Sequence, residues 1–590
     1  MTEQAFPFAP ASSMTTPTTA NAAHELPARL GRLAANPRLI VTLACLLLLV
    51  PFITKPLHVD DPMYVWAAEH ILKQPLDPYG FAVNWGSTLE PMPDAMKNPP
   101  LVCYYLAGAM TLLGRSEQAL HVAMLLPALG VILGTYQLAK ELGSRPVLAA
   151  AAMLATPVFL LSATTVMCDV AMVCAYVWSA WFWVRGMKTD RLGLLTVGAL
   201  LIADSTLTKY FGVTLFPLLI AYGVMVKRRP GVWLAPLIIP AAILAAFHFW
   251  TKGLYGYGLL ADAAGYATQE RWSAGGKIVG AVLTGLAFTG GCCAAVVSLA
   301  GVGAPRIVAV TGGVAFVVVA SLLLTLDPVA THSIRSDGAI RWSLVIQLAF
   351  WSACGVALFA SLAAYAWRNR DADTALLACW IVGTFCFAVF VNWNVAARSI
   401  LPMAPAAAIL AARMWTSRVE NSDAKAQATW RPWLALAPGV ALAVIVCMAD
   451  ASLARTQRDA AMQIADVLDQ ERGGPDDTHG KVYFAGHWGF QHYMQQRGGA
   501  PLDKRRTSLA AGDVVILPEN NTALIGLPPG AAREAATLRV DPMPIVSTMR
   551  VQTGAGFYSD VWGPLPFALG AVPAERYRVM VMEVPLSTRP

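Results

Sequence analysis

Between Leu39 and Asp450 the chain is a succession of apolar runs, many close to the ~20 residues that an α-helix needs to cross the ~30 Å hydrocarbon core of a bilayer. That feature leaves few architectures open. A backbone in hydrocarbon must satisfy its own hydrogen bonds, so such runs have to be helices packed on one another. Only 13% of residues are charged and 56% are hydrophobic, about half the charged share of a soluble domain, and the sequence therefore reads as a polytopic α-helical membrane protein. The formal net charge of +7 does not point to nucleic acid, because Lys and Arg gather in short clusters between apolar runs, where the positive-inside rule puts them. The ten cysteines lie in or beside apolar runs and none follows residue 450. Neither a disulfide framework nor zinc-ligand spacing results, and Cys292-Cys293 reads as packing.

Residues 1–36, rich in Ala, Thr and Pro, read as a disordered cytoplasmic tail. Arg29, Arg32 and Arg38 precede the first span, at 39–53, so residues 55–98 become the first external loop. An amphipathic piece at 62–73 is expected to lie on the membrane surface. Residues 98–114 are apolar but short and read as a re-entrant or interfacial helix. As one helix, residues 192–226 would reach roughly 50 Å, so they are split near Lys209–Gly212. Further spans fall at about 118–139, 146–167, 170–187, 232–251, 277–300, 306–326, 343–366, 375–394, 399–415 and 432–450. The total is about 13 transmembrane helices. On that count Arg185 and Lys188, Lys227-Arg228-Arg229, Arg368 with Arg370, and Arg413 with Arg418 all fall inside.

The membrane domain thus covers 37–450, and 451–590 has the composition of a soluble domain on the outer, periplasmic side. Expected helices at 456–471 and 487–496 alternate there with strands at Lys481–Ala485 and Asp513–Pro518, the pattern of a small α/β unit. A further strand-like run is "RYRVMVMEV"; the aromatic stretch "GFYSDVWGPLPF" carries no role legible in the sequence. No internal repeat of fixed period is present.

Length and charge alone bring Asp60, Asp61, Lys97, Asp169, Lys209 and Arg398 to one membrane face. An ionisable group inside apolar sequence costs about 2.5–3.5 kcal/mol on insertion scales unless paired or wetted, so several at one level suggest a shared polar cavity. Four of them also have a plainer explanation. Asp60-Asp61-Pro62 is a standard helix start, Asp169 begins a helix, and Lys209 could snorkel. Arg398 lies where the charge rule disfavours a cation. Adjacent carboxylates do not face each other on a helix, so one base with one capping partner fits better than an opposed acid–base pair. By the same reasoning Asp204 reads as a buried structural partner, and His58 and His332 as loop residues. An outer cavity with carboxylates and cations at the lipid boundary suits an anionic, lipid-anchored substrate.

The stretches "HVDDPMYVWAAEHIL", "KNPPLVCYYLAG", "TVMCDVAMVCAYVWSAWFWVRG", "LTKYFGVTLFPLL" and "ARSILPMAPAAAIL", in this order and spacing, resemble the membrane-embedded GT-C glycosyltransferases. The nearest resemblance is to the family 39 or protein-mannosyltransferase-like group, which includes the lipid A aminoarabinose transferase, and it covers roughly 38–415. It implies a multi-pass protein of the bacterial inner (plasma) membrane with a periplasmic active site. Such an enzyme moves a sugar with inversion from a polyprenyl-phosphate-linked donor to a hydroxyl on a lipid, protein or glycan acceptor. It also implies the roles: Asp60 as the base, Asp61 and Asp169 as further acidic positions of the catalytic set, and Arg398, Lys209 and Lys97 as ligands of the donor phosphate. Where relatives place Lys directly before Pro this chain has Asn98, with Lys97 one residue earlier; Asp61 stands for a common Glu and Ser399 for a usual Tyr. No metal ligands are assigned, although a divalent metal is compatible with the resemblance. Two other classes share many spans and membrane charges: a transporter or lipid flippase, and a non-catalytic envelope assembly protein. A transporter is expected to show inverted repeats and charges near the midplane.

Overall fold

The computed structural model describes residues 36–273, 278–329, 332–336, 338–420, 430–471 and 480–587. The expected N-terminal tail lies, except for Asn36, outside the described residues. Asn36 caps the first helix, Pro37–Leu49, by accepting a hydrogen bond from the Arg38 N–H, with Pro37 at the first turn.

Among the described residues, eight helices are long and apolar enough to cross a membrane, and the count becomes nine if the bent pair Ile278–Cys292 and Ala294–Gly303 is one span. The expected number was about thirteen. The difference lies in the shorter or broken segments. Pro37–Phe52 and Leu192–Thr208 are apolar but short, 146–167 is split at Pro157 into Pro146–Leu154 and Pro157–Ser162, and 399–415 begins with two short turns before Ala404–Glu420. The segment expected at 277–300 bends by 79° at Cys293. Close helix approaches rest on glycine. A Cβ on Gly290 would stand 2.0 Å from the Trp351 carbonyl oxygen, and one on Gly355 2.2 Å from that of Leu286, so Ile278–Cys292 and Trp342–Arg368 pack backbone to backbone.

The long apolar stretch at 192–226 does divide where expected. Helix Leu192–Thr208 stops, Lys209 is extended (φ −153°, ψ 133°), and a 3₁₀ turn Tyr210–Thr214 follows. Gly212 folds back so tightly that a Cβ there would be 2.4 Å from the Thr206 nitrogen.

The last long helix is one rod, Arg431–Glu471. The helix expected at 456–471 is its continuation, and its Ala460, Ala461 and Ile464 pack with Phe484, Phe490 and Tyr493 in the core of the C-terminal domain. That domain holds a five-stranded sheet in the order Ala500–Pro501, Val482–Phe484, Val514–Pro518, Glu575–Met582, Ala532–Val540. Val482–Phe484 runs parallel to both neighbours, while Glu575–Met582, the strand-like run of the tail, is antiparallel to both of its own. Helix Trp488–Gln496 connects the first two strands in sequence, which is the strand–helix–strand order expected of a parallel pair.

Helix Asp61–Ile71 does not lie as a half-exposed surface helix. Met63, Tyr64, Val65, Ala67, Ala68 and Ile71 are all buried, because the helix is packed between Leu101–Leu113 and the C-terminal helix Trp488–Gln496. The rest of the first loop is pinned to the same domain. Its hairpin Ala82–Asn84/Leu89–Pro91 donates from Asn84 Nδ2 to the Leu502 carbonyl (2.9 Å), from the Leu89 N–H to Asp503 Oδ2 (2.9 Å) and from Ser87 Oγ to the Ala523 carbonyl (2.8 Å).

Candidate active site

The turn that carries the site is strained. Val59, a β-branched residue, has φ 50°, a conformation that costs of order 1–3 kcal/mol and persists only where the surroundings hold it. Asp61 does the holding. Its Oδ2 accepts from the His58 N–H (2.9 Å) and its Oδ1 from the Val166 N–H (2.8 Å), so one buried carboxylate staples the turn to the segment before Asp169. Asp61 is wholly buried, with both carboxylate oxygens taken by backbone donors. Burial pushes its pKa up, against the pull of Lys55 and the two backbone donors.

Asp60 points the other way and makes no capping bond to its helix. Its Oδ2 is 2.9 Å from Arg398 Nη1, and the same nitrogen is 3.9 Å from Asp169 Oδ2. Lys209 Nζ lies 2.5 Å from Asp169 Oδ1. The four residues form a row, Asp60–Arg398–Asp169–Lys209, of alternating charge. Side-chain exposure is 28% for Asp60, 17% for Arg398 and 22% for Lys209, but 1% for Asp169, so three of them are open to a bound molecule and Asp169 is buried between the two cations. Asp169 opens helix Asp169–Thr189, where the macrodipole favours a carboxylate. Lys209 sits at the break after Thr208, and Arg398 in the short turn Ala397–Ile400. All four stand at helix ends.

The aromatic stretch of the C-terminal domain closes this row from above. The Ala397 N–H donates to the Phe557 carbonyl (2.8 Å), the Asp560 N–H to that of Val395 (2.9 Å), and Asn394 Nδ2 to Ser559 Oγ (2.7 Å). The Arg398 guanidinium carbon lies 5.5 Å from the Tyr558 ring centroid, a cation–π contact. Lys97 is near but paired elsewhere: Nζ is 2.8 Å from Asp262 Oδ2 and 5.5 Å from the centre of the Tyr266 ring. Asn98 donates from Nδ2 to the Tyr64 hydroxyl (3.1 Å). Asp204 lies outside the row, beside Thr208.

Reading the sequence missed a second buried group. Lys55 Nζ is 2.6 Å from Asp450 Oδ2 with neither side chain exposed; Tyr558 and Thr548 donate to the Asp450 carboxylate (2.9 and 2.8 Å). His58, expected to be an ordinary loop residue, is buried against the rings of Tyr558 and Trp488 with Nε2 3.8 Å from Asp450. The available signal was the cost of leaving Lys55 and Asp450 at the edges of apolar runs.

Two cavities meet at the row. One, of about 370 Å³, is walled largely by apolar groups such as Met172, Phe211, Val213 and Phe387, with Lys209 and Arg398 at its polar end. The other, of about 400 Å³, contains Asp60 and is walled by Trp85, Trp393, Trp488 and Trp562. Both touch Lys97, Asn98, Tyr266, Trp393, Asn394 and Arg398. Among the described residues no group of three or more His, Cys, Asp or Glu side chains is arranged to hold a metal ion.

A family model described as dolichyl-phosphate-mannose-protein mannosyltransferase matches residues 97–254, a stretch holding Lys97, Asp169 and Lys209 but neither Asp60 nor Arg398. No curated protein matches the chain in sequence. Among solved structures, the chain is similar to the Archaeoglobus fulgidus oligosaccharyltransferase tethered with an acceptor peptide, at 15% identity and a TM-score of 0.45, over 79% of this chain and 63% of that one. It is similar to ArnT from Cupriavidus metallidurans bound to undecaprenyl phosphate, at 14% identity and a TM-score of 0.42, over 82% and 92%. It is also similar to the arabinofuranosyltransferase AftD from Mycobacteria, at 14% identity and a TM-score of 0.39, over 93% and 40%. The chain spans under two thirds of the length of the archaeal protein.

Proposed function

We propose that the chain is an inverting glycosyltransferase of the GT-C type. It transfers a sugar from a polyprenyl-phosphate donor to a hydroxyl acceptor at the periplasmic face of a bacterial inner membrane. The observation that carries this reading is the placement of Asp60 and Arg398, in contact with each other, at the junction of an apolar cavity and an aromatic one. The apolar cavity suits the first isoprene units, with Lys209 and Arg398 at the phosphate. The acceptor enters from the aromatic side. Its oxygen attacks the anomeric carbon and gives its proton to Asp60. The bond from that carbon to the phosphate oxygen breaks, and polyprenyl phosphate leaves with the electron pair as an anion held by Arg398 and Lys209. A phosphate is a stable leaving group, so no general acid is needed, and a single displacement inverts the anomeric centre.

The family match over 97–254 supports the donor half of this reading. The orientation is supported by charge. Arg185, Lys188, Lys227 and Arg413 pair with Glu141, Asp373, Asp190 and Asp371 at the ends of these helices remote from the row, as expected if that end is cytoplasmic. A row of charges at helix termini on one face also differs from the midplane site expected of a transporter.

The test is transfer in proteoliposomes carrying the full chain, using polyprenyl-phosphate sugars extracted from the host membrane, together with glycolipid and glycoprotein profiles of a deletion strain complemented with wild type or Asp60→Ala. Loss of one glycan class, restored by wild type alone, is the expected outcome. Unchanged glycans in every fraction would overturn the proposal.

A further inference from the structure

The aromatic cavity says more about the acceptor than the row of charges does. Its four tryptophans come from four separate segments: Trp85 from the hairpin of the first loop, Trp393 from the stretch leading to Arg398, Trp488 from the start of the C-terminal helix, and Trp562 from the aromatic loop. A core stripe on one element would not do this. Trp393 is 40% exposed although it lies beside the reacting groups, and Trp85 stacks on His487 (5.3 Å between centroids, 24° between planes), which fixes the plane of its indole. Trp488 has φ 62°, a rare backbone for so bulky a residue. Asn521 holds it there, accepting from the His487 N–H (2.7 Å) and donating to the His487 carbonyl (3.2 Å). Trp488 in turn supports Trp562, with centroids 4.9 Å apart. Strain maintained at a cavity wall points to use of that wall.

The polar groups among these rings are neutral amides and hydroxyls: Asn98, Asn394, Thr522 and Ser559. Apart from Asp60, the charged groups are Arg398 and Lys97, both already in ion pairs. Indole faces interleaved with amides and hydroxyls match a sugar ring, which offers polarised C–H bonds on its faces and hydroxyls around its edge; the negative face of an aromatic ring attracts the first and the amides bond the second. The volume of about 400 Å³ falls within the ~300–1,000 Å³ typical of small-molecule sites.

We propose that this cavity is an acceptor subsite for a neutral carbohydrate, built jointly by the first loop and the C-terminal domain, so that Asp60 takes its proton from a sugar hydroxyl. This rests on the transferase reading for the role of Asp60, while the carbohydrate specificity rests on the tryptophans and the neutral polar groups between them.

The experiment is saturation-transfer NMR on the full chain in nanodiscs, with methyl glycosides of mannose, galactose, glucose and rhamnose as probes and a Ser/Thr-rich peptide at the same concentration. At least one glycoside receives saturation from the aromatic protons, and Trp562→Ala and Trp393→Ala each reduce it about five-fold or more, whereas Trp562→Phe, which keeps an aromatic face, retains most of it. Absence of transfer to every glycoside, transfer unaffected by both alanine variants, or Trp562-dependent binding of the peptide alone would each overturn the inference. The two readings fail separately. Should Asp60→Asn abolish sugar transfer while no glycoside binds, only the acceptor assignment falls; should glycosides bind through Trp562 while Asp60→Asn transfers normally, only the catalytic reading falls.

Discussion

Lys55 and Asp450 stand 395 residues apart in sequence and meet as a wholly buried ion pair, Nζ to Oδ2 2.6 Å. Around it four parts of the molecule converge. Lys55 belongs to the start of the first loop and also donates to Thr164 Oγ1 (3.3 Å), Asp450 belongs to the last long helix, and Tyr558 and Thr548 come from the C-terminal domain. Tyr558 bonds Asp450 through its hydroxyl and faces Arg398 with its ring. The pair therefore sets the position of both Asp60, five residues after Lys55, and the guanidinium that Asp60 touches.

Removing one member of such a pair leaves a buried charge without compensation, at a cost of about 3–5 kcal/mol. Lys55→Met and Asp450→Leu are each expected to lower the thermal unfolding midpoint in detergent substantially, and the double variant less than either single one. A double variant as damaged as the sum of the singles would mean that the pair is not coupled.

For the chemistry, Asp60→Asn keeps the size of the side chain and removes its basicity. Sugar transfer should fall by about 10²–10⁴-fold with binding of the proposed polyprenyl-phosphate donor retained, measured by single-turnover transfer alongside a lipid-binding assay. Loss of both together would indicate a structural role for the Asp60–Arg398 contact.

Arg398 meets Asp60, lies near Asp169 and faces the Tyr558 ring at once. Lysine has one point charge and cannot reproduce that geometry. Arg398→Lys is expected to reduce kcat by about ten-fold or more, whereas Lys209→Met should act mainly on the KM for the donor, as read from initial rates against donor concentration.

Acidification should weaken the seam between loop and domain. Burial holds His58, His487 and His492 down at about 4, below the ordinary 6.5. Between those values the unfolded chain binds more protons than the folded one, so stability falls as the pH drops from about 6.5 toward 4. The His487 ring bonds Gln491 through Nδ1 (2.8 Å); His487→Asn can keep that bond without titrating, and unfolding midpoints measured from pH 7.5 to 5 should show a shallower slope for it than for wild type.

The row Asp60–Arg398–Asp169–Lys209 could be read from the sequence because each member interrupts apolar residues, where an ionised group is costly enough to demand an explanation. The split at Lys209–Gly212 followed from length alone. What local pattern could not supply is contact between distant segments. Lys55 and Asp450 look like ordinary boundary charges until the fold joins them, Asp61 looks like a helix cap but staples the turn to Val166, and Lys97 finds Asp262 on another helix. Composition changes at Asp450, but the hydrogen-bonded helix continues to Glu471, so the helix expected to start at 456 has no start of its own. The aromatic stretch gave no sign of its role, since its partners lie in the first loop and beside Arg398.

The unbroken rod Arg431–Glu471 also fixes the gearing of the molecule. A helix advances about 1.5 Å and turns about 100° with each residue, so inserting a single residue past Asp450 would lift the C-terminal domain only slightly but swing it through more than a quarter turn. Tyr558, Trp488 and Trp562 would then face away from Asp60 and from Trp85 and Trp393, which complete the wall. The height and heading of the roof are set by helical phase, and the length of that rod is a dimension of the active site.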